Sequence, residues 1–441
     1  MSVHRKNPDR AVEAVRETIA QSMTEARQRT MTLIEPLSDE DLLAQHDPLM
    51  SPIIWDIGHI AHFEELWLTR NLEGKIEFSE MPGIYNPFEN PRAVRGTLPL
   101  KPRAQMLGEL ERIREAVLKR LSDVEFDDSN PLLRFGYVYN MVLQHEYQHN
   151  ETILQTLQLK QGEPYAAPRK IYFPVSEPPE ATMVAVDGGR VSIGTNDVAV
   201  AYDNERPNHF VEVMPFQIDA TPVTNSAFME FMNDGGYTRL ELWSEAGRKW
   251  LLEGEIKSPK HWVERDGAWL QRVFDRTRLV DPSRPVCHVC YYEADAYARW
   301  AGKRLPTEFE WECAASWDAG SKQPALFPWG DSAPTPDTCN IDQLAFDTAP
   351  VRTFRAFASP AGCVAMIGDV WEWTSSDFHG YPGFTPFPYP EYSEVSFGTE
   401  SKVLRGGSWA TRPGAIRNTF RNWDYPIRRQ IFAGFRCAKD V

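Results

Sequence analysis

The stretch LQHEYQHNETILQTL, residues 143–157, decides how this chain is read. His145 and His149 stand four residues apart, so on an α-helix they lie one above the other on one face. Val142, Leu143, Ile153, Leu154 and Leu157 recur around them at helical spacing, which predicts an amphipathic helix. Such a pair is either a hydrogen-bonded couple in a core or two ligands of one metal ion. A third candidate favours the metal: His59, in the upstream apolar segment IIWDIGHIAHFEELWLTR. His62 is a rival for the same part, three residues further along that helix. Glu151 completes an HxxxHxE pattern, but two residues past His149 it points about 200° around the helix, away from the pair.

Working outward, four long helices are expected at about 8–35, 51–71, 102–122 and 131–161. Ser38 with Asp41 three residues on forms a capping-box pattern, and Ser51-Pro52 reads as an N-cap followed by a first-turn proline. Four amphipathic helices make a bundle, a frame that builds metal sites from residues on facing helices. After the proline-rich linker KIYFPVSEPPEAT (170–182) the character changes to short strands, glycine and proline turns, and tryptophan-bearing loops. Helices intervene near 224–234 and 291–301. The expected fold class is α+β: a helical bundle over 1–170 and a loop-rich mixed domain over 171–441.

The 441 residues suffice for two or three domains. With 47 basic against 62 acidic side chains the formal charge is −15. That balance, without a basic block, argues against nucleic acid and anionic membrane surfaces as partners. No apolar run is long enough to span a bilayer, and the polar start MSVHRKNPDRAVEAV has no secretory h-region, so a cytoplasmic location is expected. All six cysteines fall in the second half. Cys287-His288-Val289-Cys290 has the CxxC spacing of a zinc knuckle, but no second CxxC follows. PVCHVC reads instead as a buried strand entering a helix, with structural cysteines.

Several segments are specific together: DNERPNHFVEV, the TPVTN turn, YYEADAYARWAGKRLPTEFEWECAA, FPWGD, GDVWEWTSS, KVLRGGSW and AGFRCA. Through them the second half resembles the formylglycine-generating-enzyme (sulfatase-modifying factor) domain, a variant of the C-type lectin fold. The first half resembles the DinB-like four-helix bundle, in which three histidines hold a metal. The fusion, with HEYQHNE, NPRAVRG and RNWDYPIRRQIFAGFRCA, is similar to the sulfoxide synthases of ergothioneine biosynthesis, the EgtB family. The two cysteines that a formylglycine-generating enzyme needs after its GGS motif fall here at Thr411 and Ile416. That thiol chemistry is therefore absent.

The resemblance implies a non-haem Fe(II) held by His59, His145 and His149, with O2 as oxidant. Zinc is an alternative occupant of three histidines by affinity alone. The implied reaction joins the sulfur of γ-glutamylcysteine to C2 of the imidazole of hercynine and oxidises that sulfur. Free cysteine or a selenium sugar are alternative donors, and a non-catalytic metal- and ligand-binding protein is an alternative of another class. A phenol suits the required proton donor. Tyr381 in DFHGYPGFTPF is the candidate, with Tyr389 and Tyr392 as alternatives. Arg92 and Arg95 match a pair that clamps the thiol's carboxylates, and Asp424 and Arg428 match positions completing that pocket. Gln148, Asn422 and the adjacent Trp423 match residues near hercynine. Phe63 departs from the pattern, standing where related sequences carry a glutamine.

Overall fold

The computed structural model describes residues 8–74 and 83–441. They divide into two compact units. One holds the described residues up to Pro164 together with Asp197–Val200; the other holds Tyr165–Asn196 and Ala201–Val441. The first is helical and the second mixes helices with short strands, an α+β chain. Among the described residues no helix is long and apolar enough to cross a membrane.

The helical unit is built from α1 (Pro8–Ile34), α2 (Asp39–Leu43), α3 (Ile53–Glu65), α4 (Arg103–Leu121) and α5 (Tyr137–Leu159). Ser38 and Asp41 make the reciprocal capping box at the start of α2. The start of α3 differs from expectation: Pro52 itself is the cap residue and Ser51 caps nothing. The Ser51 hydroxyl instead accepts a hydrogen bond from Arg95 Nη1 at 2.8 Å. At its far end α3 passes into one π-turn, Leu66–Arg70. Helix α5 begins six residues later than its apolar pattern suggests, because Phe135 and Gly136 both take positive φ ahead of it. Apolar side chains of all four long helices fill the interior, among them Met23, Ile57, Ile60, Ile113, Val117, Val142 and Leu154. The segment Asp197–Val200 lies along α5: Asn140 and Gln144 donate to the carbonyls of Ala199 and Val200 at 3.1 and 3.0 Å.

Within this apolar interior sits a cluster of four charges, one from each long helix. Arg114 of α4 donates to both oxygens of Glu64 of α3, at 2.6 and 3.0 Å, and to Glu146 of α5 at 2.9 Å. Arg27 of α1 donates to the same two carboxylates, at 2.7 Å to Glu64 and 2.9 Å to Glu146. The Thr30 hydroxyl completes Glu146 at 2.7 Å. Two cations and two anions cancel, and most of their polar atoms are bonded to one another. That is the condition under which buried charge is tolerated.

The second unit carries a four-stranded sheet in which Trp371–Phe378 pairs antiparallel with Gly398–Arg405 and parallel with Ala433–Gly434, while Asn422–Asp424 lies outermost on Gly398–Arg405. A three-stranded sheet joins Met183–Val186, Phe216–Asp219 and Ala438–Asp440. The helices are α6 (Asn225–Asn233), α7 (Glu245–Glu253), α8 (Tyr291–Trp300) and α9 (Glu308–Ser316). Sequence periodicity missed α7 and α9, which are only nine residues each. Residues 285–290 form no strand beyond one isolated bridge at Pro285. All six cysteines are free and buried, and Cys290 caps α8.

The motifs that make this half recognisable are largely buried charge pairs. Arg405 of LRGGSW meets Glu308 and Glu312 of TEFEWE. Arg436 of GFRCA donates twice to Glu372 of GDVWEW, at 2.7 and 2.8 Å, and Trp311 Nε1 shares that carboxylate at 2.8 Å. Arg421 clasps Glu308 at 2.7 and 2.9 Å. Each pair joins segments far apart in the chain, and each is fully desolvated.

Removing one partner of the four-helix cluster strands a buried charge, so Glu146→Gln is expected to destabilise the helical unit by about 3 kcal/mol. Urea unfolding followed by the helix signal measures this; a loss below about 1 kcal/mol would refute it. Burial alone would raise the Glu146 pKa, but Arg27 and Arg114 outweigh it and hold it at about 2, against an ordinary 4.5. A depressed folded-state pKa gives stability that is complete above the unfolded value and is lost as pH falls toward the folded one. Wild-type stability should therefore decline between about pH 4.5 and pH 2, and this part of the decline should vanish in Glu146→Gln.

Candidate metal centre

His59 on α3 and His145 and His149 on α5 bring one ring nitrogen each into a group whose atoms all lie within 4.8 Å of one another. His59 Nε2 and His145 Nε2 are 3.2 Å apart. Two imidazole nitrogens bound about 2.1 Å from a common ion stand roughly 3.0–3.4 Å apart, depending on the coordination angle. The spacing fits one shared ion. Burial, followed by the positive charge His149 would carry, pushes the pKa of both His59 and His145 well below the usual histidine value. Both rings are therefore neutral at pH 7, the form that can bind a metal.

Hydrogen bonds on the far side of two rings set which nitrogen faces inward. His59 Nδ1–H donates to the carbonyl of Tyr85 at 2.9 Å; a carbonyl can only accept, so Nε2 carries the free lone pair. His149 Nδ1 faces Asp56 Oδ1 at 3.2 Å, which fixes its tautomer the same way. These are the outer partners metal-binding histidines use. Aromatic rings hold the planes. Trp55 stacks on His59 with centroids 5.0 Å apart, and Phe63 lies flat on His145 at 3.8 Å.

The Tyr85 carbonyl is itself held in place. Trp55 Nε1 donates to Ile84 at 2.8 Å, and the Tyr85 ring covers Gly58, where any Cβ would collide with it. Glycine next to His59 thus lets the turn Gly83–Tyr85 settle on α3. That glycine inside an otherwise apolar helix was the signal available for this contact. His62 stays outside the group, its ring stacked on Tyr85 at 4.5 Å. Glu151 is not among the converging atoms.

The arginine pair is not symmetric. Arg95 is buried, donates to Asn90 at 2.8 Å and Ser51 at 2.8 Å, and lays its guanidinium over Trp55 at 3.6 Å. Burial lowers its pKa to about 10, partly countered by Asp56. It braces the ring that braces His59. Arg92, on the same short 3-10 turn, is half-buried. Gln148 lies half-buried on α5 between the two histidines.

In the second unit Asp424 and Arg428 pair with each other at 3.2 Å. Asn422 accepts from the Trp423 amide at 2.9 Å, and Trp423 stacks on Phe378 at 4.1 Å. Tyr381 is a core residue. It belongs to the buried cluster around Val191, Phe216 and Trp311, Arg421 covers its ring at 4.1 Å, and its hydroxyl donates to Glu308 at 3.4 Å. Burial pushes its pKa far above the ordinary tyrosine value. Tyr392 is half-buried, its ring centroid 6.2 Å from that of Trp423 and 6.0 Å from that of Tyr389, which is itself buried.

Residues 22–153 match the DinB superfamily and residues 171–441 the sulfatase-modifying factor enzyme 1-like domain. The molecule is thus a DinB-type bundle joined to a sulfatase-modifying-factor-type domain. It is 42% identical to the hercynine oxygenase of Mycolicibacterium thermoresistibile over 97% of this chain and 95% of that protein. It is 41% identical to the hercynine oxygenase of Mycobacterium tuberculosis, over 96% and 99%. The formylglycine-generating enzyme of Streptomyces coelicolor is 34% identical over 54% of this chain and 82% of its own length. The chain belongs to the hercynine oxygenase family.

Exchanging ligand candidates separates the two histidines of α3. His59→Ala and His145→Ala are each expected to abolish tight Fe(II) binding, while His62→Ala retains it, as measured by metal analysis after anaerobic loading. Full loading of His59→Ala would contradict the assignment.

Proposed function

We propose that this protein is a non-haem iron(II)- and O2-dependent enzyme that joins γ-glutamylcysteine to C2 of hercynine and oxidises the new thioether to the sulfoxide. The observation that carries this reading is the three-histidine group in a chain similar over nearly its whole length to hercynine oxygenases. The reaction balances as hercynine C2–H plus thiol S–H plus O2, giving the C–S bond, the S=O group and one water. His59, His145 and His149 would hold the metal. An iron(II) bound by three neutral imidazoles supplies a redox-active Lewis acid that favours the thiolate form of a sulfur substrate and delivers electrons to O2.

The chain's own residues then bind and orient. Arg92 is the carboxylate contact for the thiol substrate, and Arg95 holds the wall behind it through Trp55. Asp424 and Arg428 present an anion and a cation side by side, the complement of an amino-acid zwitterion. Gln148 offers a neutral amide next to two ligands, and Asn422 with Trp423 offers an amide and a ring to the hercynine cation. Phe63 is occupied in stacking on His145, so it supports the ligand and does not replace the glutamine's polar contact. The proton leaves from a phenol of the 381–392 loop; Tyr381 and Tyr389 are both buried, and the half-buried Tyr392 is the preferred donor.

Anaerobic loading with Fe(II), followed by hercynine, γ-glutamylcysteine and air, is expected to yield the C–S-linked sulfoxide by mass spectrometry. Metal binding with no C–S or C–Se product from γ-glutamylcysteine, cysteine or a selenium sugar would leave a metal-binding protein and end the synthase reading. Arg92→Ala should raise the thiol KM about tenfold or more with little change in kcat; an unchanged KM removes Arg92 from the site. Tyr392→Phe should alter the product ratio, whereas Tyr381→Phe should leave it alone and lower stability.

A further inference from the structure

Asp56 does more than hold a helix. It lies one turn before His59 on α3 and is 1% exposed. Its Oδ1 takes the His149 Nδ1–H, while its Oδ2 is buried with no hydrogen-bond partner among the described residues. A buried carboxylate with an unmet oxygen is costly, by about 1–3 kcal/mol or more for a charged group. The neighbouring buried carboxylates differ: Glu64 and Glu146 are both neutralised by Arg27 and Arg114. Arg95 interacts with Asp56 only through space, its named hydrogen bonds going to Ser51 and Asn90.

A site with this imbalance is completed by positive charge. Beside it converge the three imidazole nitrogens of the candidate metal site. We infer that Asp56 is a positioning residue for a divalent cation: it destabilises the empty bundle and raises metal affinity, acting through His149. Its carboxylate would orient the ring, increase the basicity of Nε2, and offset part of the 2+ charge without entering the ligand set. This rests on the metal-site reading above. A purely structural Asp56, a hydrogen bond tying α3 to α5, makes the opposite prediction for the metal-free protein.

The test uses the full chain, metal-free and titrated with Co(II) against a competing chelator. Asp56→Asn keeps the shape and the acceptor but removes the charge. Its metal-free Tm should equal or exceed that of wild type, its Co(II) affinity should fall about 10–100-fold, and its Co(II) visible spectrum should shift as His149 loses its anchor. Asp56→Glu, which keeps the charge, should recover part of the affinity. An Asp56→Asn protein that is less stable or unfolded without metal, or that binds Co(II) within about twofold of wild type, overturns the inference. Wild-type protein that fails to bind Co(II) overturns the metal reading itself, and the two failures are distinguished by that control.

Discussion

Everything in the helical unit depends on how four helices are held in register around charge that water cannot reach. Arg27, Glu64, Arg114 and Glu146 come one from each long helix, and their bonds are directional. A sliding error of one residue on any helix would leave a buried ion unpaired, at a cost of several kcal/mol. Apolar packing alone tolerates such slips more easily, because similar side chains can exchange places. Glu146 follows His145 directly, and Glu64 lies five residues past His59. The cluster that sets register therefore sits close in sequence to His59 and His145, whose ring nitrogens converge.

The candidate metal site is built in layers on that frame. Nitrogens of His59 and His145 stand 3.2 Å apart, which is useful only if each ring turns its free lone pair inward. Tyr85 and Asp56 turn two of them, by acceptors that leave one tautomer for each ring. Trp55 and Phe63 restrict the ring planes, and Arg95 backs Trp55. The second unit uses the same device for a different end. Its buried arginine–carboxylate pairs tie short strands and long loops into one body, where regular secondary structure is too sparse to do so.

Helical periodicity made the four long helices legible, and the i, i+4 spacing alone puts His145 and His149 on one face. The choice of His59 over His62 came from resemblance, and the geometry that separates them, one ring reaching α5 and the other stacked on Tyr85, is three-dimensional. Arg95 read as a substrate clamp because a guanidinium near a proline turn looks the same whether it faces solvent or a tryptophan. Tyr381 lies in a loop, as the glycines and prolines around it suggest, but its burial was not legible, because Arg421, forty residues on, folds over its ring. The charge pairs were invisible for the same reason. Arg405 and Glu312 are 93 positions apart, and no local pattern announces a partner at that distance.

Whether the four-charge cluster sets the spacing of the histidines is tested without touching a histidine or stranding a charge. Arg114 and Glu64 are replaced together by methionine, which leaves Arg27 paired with Glu146, and Co(II) affinity is measured on the full chain. Replacing a buried ion pair by apolar side chains of similar volume is often neutral for stability, so the variant should fold. If the cluster sets that spacing, Co(II) affinity falls at least about tenfold, the scale on which mispositioned ligands lose metal. A folded variant that binds Co(II) as tightly as wild type would contradict it.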